Sequence, residues 1–79
     1  MGIYIYMYFS DHNPPHVHTI YGQFDAEFSI VTGERLRGAF PSRAERFVRE
    51  WAGIYKNQLL HNWELARNHD PLRDIPPLE

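Results

Sequence analysis

Residues 16 to 30 alternate strictly, and that alternation limits what this chain can fold into. Val17, Thr19, Phe24, Ala26, Phe28 and Ile30 form one set, while His16, His18, Asp25, Glu27 and Ser29 form the other. A period of two is the pattern of half-buried strands, with the apolar set inward. Gly22 supplies a tight turn between them. A loop at Tyr21-Gly22 would place His18 opposite Asp25 and His16 opposite Glu27. A one-residue slip would set polar positions against apolar ones, so it is disfavoured.

The flanking segments extend this hairpin into a sheet. Residues 3 to 9 (Ile-Tyr-Ile-Tyr-Met-Tyr-Phe) suit a strand with both faces largely covered. Val31 to Glu34 form a second turn, and Arg35 to Phe40 suit a short fourth strand with Leu36 inward. Ser42-Arg43-Ala44-Glu45 has the form of a capping box, in which serine caps a helix and glutamate reaches back. Beyond it, Ala44, Phe47, Val48, Trp51, Tyr55, Leu59 and Ala66 fall on one helical stripe with Trp63 at its edge. One helix over about residues 43–67 is predicted, with a kink near Gly53. The last residues, from Asn68, contain three prolines and read as an extended surface tail. Strands followed by a helix, without β-α-β alternation, predict an α+β domain. The predicted fold is a three- or four-stranded antiparallel meander on one long C-terminal helix. A single domain is expected over 1–79, with the sheet in 1–40, the helix in 42–67 and the tail in 68–79.

Composition narrows the function. The apolar content of 43% allows a core, and aromatics at 15% enlarge it. With no cysteine there is no disulfide framework and no thiolate metal site. No apolar run approaches the roughly 20 residues needed to span a bilayer, and no secretory leader is evident. A cytoplasmic protein with no membrane partner is expected. The net charge of −2 argues against broad nucleic-acid binding.

The block Asp11-His12-Asn13-Pro14-Pro15-His16-Val17-His18 carries the chemistry. Paired prolines stiffen the chain and push preceding residues out of the α region. Imidazole titrates near neutrality and is also the commonest metal ligand. Three readings follow. In the favoured one, His16 and His18 act as general acid and base without metal, Asp25 and Glu27 orient them, and Arg35, Arg37 or Arg43 holds phosphate. RNA cleavage through its own 2′-hydroxyl needs no other nucleophile and no cofactor. In the second, His12, His16 and His18 ligate a zinc-like divalent metal. In the third, the histidines are surface residues in cross-strand ion pairs, and the domain is a protein-binding module. His61 and His69 are expected to face solvent, and Trp51 and Trp63 to lie in the core.

The histidine-proline block, the strand before it, Thr32-Gly33-Glu34, Pro41 with Arg43, and Asn62-Trp63-Glu64-Leu65-Ala66 together resemble the small bacterial domain-of-unknown-function family 4160. The resemblance covers nearly the whole chain. It implies a two-gene setting in which this chain is the toxin-like component and a small antitoxin-like protein is its partner. Homodimerisation through the tyrosine-rich first strand is a further expectation.

Overall fold

The computed structural model describes residues 2–78. Four strands, β1 (Tyr4–Tyr6), β2 (His16–Tyr21), β3 (Phe24–Ser29) and β4 (Arg35–Gly38), precede two helices, α1 (Ser42–Ile54) and α2 (Lys56–Arg67). The strands form one antiparallel sheet in the order β1-β2-β3-β4. The chain is an α+β domain with a meander sheet. Among the described residues no helix is long and apolar enough to cross a membrane.

The alternation of β2 and β3 sets the inner face. Val17, Ala26 and Phe28 pack with Ala44, Val48, Trp51, Leu59 and Trp63 in one core. Thr19 is buried in this face because its hydroxyl donates to the Ala26 carbonyl at 2.8 Å. Phe24 departs from the inward set and is 44% exposed. It pairs with Tyr21 at the hairpin end.

The hairpin register differs from the expected one by two residues. His18 faces Glu27, Ile20 faces Asp25 and His16 faces Ser29. The turn is Gly22-Gln23, with Gly22 at φ +59. Glycine at the first central position fits a two-residue II′ turn. A shift of two preserves every side chain's face, so alternation alone cannot detect it.

β4 also corrects the sequence reading. Phe28 pairs with Arg35 and Glu27 with Arg37, so Leu36 is the extra residue of a bulge and is 40% exposed. Gly38 ends the strand at φ +85, and a Cβ there would meet the Asp25 carbonyl oxygen at 2.2 Å.

The predicted single helix is two helices joined at Tyr55, which sits at φ −104, ψ 24. The bonds from Tyr55 N–H to Trp51 and from Leu59 N–H to Tyr55 persist at 3.0 and 2.9 Å on either side of the junction. Gly53 just before the bend is a weak helix former. The cap also differs: Pro41 is the N-cap, and no side chain bonds back. Glu45 instead pairs with Arg35 at 3.4 Å. After α2 the chain runs without regular structure from Asp70 to Leu78.

Candidate metal centre

The segment between β1 and β2 turns back on itself through Pro14 and Pro15. It carries Asp11 over the start of β2, where His16 and His18 project to the same side. The Asp11 Oδ2 atom lies 3.1 Å from His16 Nε2 and 2.9 Å from His18 Nε2. One donor atom from each of the three residues falls within 4.8 Å of the others. For an ion bound at about 2.0–2.1 Å, the two Asp11–histidine spacings of 3.1 and 2.9 Å subtend about 90–100°. That angle lies between octahedral and tetrahedral ligand sets.

The second nitrogen of His16 is held as a ligating ring needs, and that of His18 lies near a carboxylate. His16 Nδ1–H donates to the Pro14 carbonyl at 2.6 Å, which leaves Nε2 as the lone-pair nitrogen. His18 Nδ1 lies 3.7 Å from Glu27 Oε2, and Glu27 Oε1 lies 3.7 Å from His16 Nε2. A carbonyl or carboxylate behind the ring fixes the tautomer and raises the basicity of the other nitrogen.

Burial separates the two histidines. His16 is 1% exposed and packs on Trp63 with ring centroids 5.1 Å apart. His18 is half-buried, stacked on Tyr6 at 5.4 Å and edge-on to Tyr8 at 4.6 Å. Burial alone would raise the Asp11 carboxyl. Hydrogen bonds from His18 and from the His12 backbone, with the nearby His16 and His18, outweigh it and hold the pKa at about 2. Asp11 is therefore an anion at any ordinary pH.

The other expected site residues fall as follows. His12 is exposed, and its Nδ1 sits 3.0 Å from the other oxygen of Asp11, outside the converging donors. Asp25, two residues out of the expected register, faces Ile20. Of the two carboxylates expected to orient the histidines, Glu27 approaches both. A groove of about 480 Å³ adjoins His18 and is lined by Tyr6, Asp25, Glu27, Arg37 and Gly38. Arg35 is committed to the Gly38 carbonyl and Glu45. Arg43 is exposed at the start of α1, away from the groove lining. His61 and His69 are exposed, and both tryptophans are buried.

Sequence reasoning placed Asp11 in the histidine-proline block but missed it as a donor. Its signal was present: a carboxylate five positions before His16 with two prolines between can fold back onto the strand. The roles of Tyr6 and Tyr8 as walls around His18 follow from β1 pairing with β2, where Tyr6 faces His18.

No curated protein and no solved structure matches this chain. A family model described as "Domain of unknown function (DUF4160)" matches residues 2–64 of the 79. The chain belongs to that family.

Proposed function

We propose that the domain binds one divalent transition-metal ion through Asp11 Oδ2, His16 Nε2 and His18 Nε2. The observation that carries this is the His16 ring. Its Nδ1–H is given to Pro14, and its Nε2 then points a lone pair at a carboxylate oxygen 3.1 Å away. Two acceptors face each other at a buried position. A bound cation resolves the conflict and draws both donors to itself. A second proton on the ring is the competing solution, at the cost of burying an imidazolium. Two imidazoles and one carboxylate suit zinc, iron, nickel or copper better than calcium or magnesium. Three protein donors leave coordination positions free, and an ion of that kind can activate water or polarise a phosphoryl oxygen.

The finer reading suggested by the sequence is a toxin-like RNA-cleaving domain with His16 and His18 as a metal-free acid–base pair. It has less support. An acid–base pair must reach substrate, and His16 is 1% exposed with both nitrogens engaged. His18 remains reachable, between two tyrosines and beside the groove that holds Arg37. RNA therefore stays the substrate class to try, with the ion rather than His16 as the activating group.

The test is elemental analysis of untagged full-length protein, followed by zinc titration after chelation. One equivalent of metal, lost in His18→Ala and Asp11→Ala, is expected. Affinity no tighter than about millimolar, roughly 4 kcal/mol, would remove the proposal. RNA cleavage that survives chelation would favour the metal-free pair instead.

A further inference from the structure

The C-terminal segment lies in a groove, and the way the groove holds it has the form of peptide recognition. Ile5 of β1 with the flanking Ile3 and Met7 makes one wall, and Trp51, Leu59 and Asn62 from the helices make the other. Two of these side chains hydrogen-bond to the tail, and both bind its backbone. The Asn62 amide donates to the Arg73 carbonyl and accepts from the Arg73 N–H, each at 2.9 Å. The Trp51 indole N–H donates to the Pro76 carbonyl at 2.9 Å. Contacts of this kind hold any extended chain, whatever its side chains, and pockets beneath them supply the selectivity.

The tail's own pattern shows what the pockets take. Leu72, Ile75 and Leu78 are spaced three apart and all line the groove. Three residues per turn is the repeat of a polyproline-type extended chain, and Pro76-Pro77 stiffens this one. The fit is incomplete, however. A partly open pocket of about 400 Å³ is lined by the tail and the walls together, and Leu72 is still 36% exposed. The six wall residues lie within the family-matched residues 2–64, and the tail lies outside them.

We propose that this groove is a docking site for an extended, proline-containing segment of a partner protein. That segment carries apolar anchors three residues apart, bulkier than those of the tail. The tail is a weak occupant in cis that such a partner displaces. Larger anchors fill the space that Ile75 and Leu78 leave, and the Asn62 and Trp51 contacts transfer unchanged because they read only backbone. The site is separate from the Asp11–His16–His18 cluster and does not depend on it.

The test uses the full chain and two labelled synthetic peptides. One has the sequence of residues 70–79, and the other has the same sequence with I75F and L78F. Binding is read by fluorescence anisotropy and by the Trp51 indole N–H signal in NMR. The full-length I75D/L78D protein, whose own tail no longer competes, should bind both peptides at least tenfold more tightly than wild type does. The phenylalanine peptide should bind more tightly than the native one. Adding Asn62→Ala should weaken binding about tenfold, as loss of a paired backbone contact predicts. A folded I75D/L78D protein that binds neither peptide would overturn the proposal. So would an unfolded one, because the tail would then be an integral element of the fold. A wild-type dimer that dissociates in I75D/L78D without peptide binding would assign the groove to a second copy's tail and also overturn it.

Discussion

Replacing His16 by alanine should unfold much of the margin that keeps this domain folded, whereas replacing His18 should not. The two histidines are two residues apart on one strand face, and the sequence treats them alike. The structure separates them, with His16 1% exposed and His18's side chain 16% exposed. His16→Ala removes a ring packed on Trp63 and leaves the Pro14 carbonyl without its ring donor. A buried acceptor left unpaired costs about 1–3 kcal/mol, and the cavity adds to it. The total is about 3 kcal/mol. A domain of this length has a stability on the order of 4–12 kcal/mol. His18→Ala gives up aromatic contacts at a half-open site and should cost about 1 kcal/mol. The assay is urea denaturation followed by circular dichroism, with chelator present so that metal loss is not the cause. With a slope of about 1 kcal/mol/M for a small domain, the His16→Ala midpoint should fall by about 3 M and the His18→Ala midpoint by about 1 M. A His16→Ala midpoint within about 0.5 M of wild type would refute the burial argument. Activity is therefore better tested with His18→Ala than with His16→Ala.

Other outcomes follow from the same geometry. Gly38→Ala should destabilise by more than about 2 kcal/mol in the same assay, because the new Cβ would meet the Asp25 carbonyl oxygen at 2.2 Å from a backbone at φ +85. With chelator present, a carbon-detected NMR titration should place the Asp11 carboxyl at about 2, below the ordinary aspartate value of 3.8. Its folded value is depressed, so its stabilising contribution of about 2 kcal/mol is full above about pH 4 and is lost as pH falls through about 2. Zinc affinity should fall on acidification, since ligating imidazoles must be deprotonated, and calorimetry at several pH values checks this. Asn62→Ala should speed hydrogen exchange at the Arg73 N–H while leaving that of the β2–β3 hairpin unchanged.

The sheet was legible because its signal is local. Val17, Ala26 and Phe28 are where the alternation put them, and the antiparallel meander follows from turns at Gly22 and Gly33. Errors arose where the local signal is degenerate. A register shift of two keeps His16, His18, Asp25 and Glu27 on one face, so it was invisible until the turn was fixed at Gly22-Gln23. The bulge at Leu36 and the bend at Tyr55 each depend on a single residue inside an otherwise regular pattern. In the site, His16 and His18 were legible as a pair, but their inequality was not. The burial of His16 comes from Trp63, forty-seven positions along the chain on another element. Asp11 joins them through loop closure, which composition does not report.

The most direct test of the metal reading is a long-range proton–nitrogen NMR spectrum of all five histidines, recorded on the full chain with and without one equivalent of zinc. On zinc addition the His16 and His18 Nε2 signals should move, with the proton of each ring on Nδ1 in the zinc-bound form, while His12, His61 and His69 are unaffected. No change at His16 and His18, or zinc shifts confined to His12, His61 or His69, would contradict the metal reading.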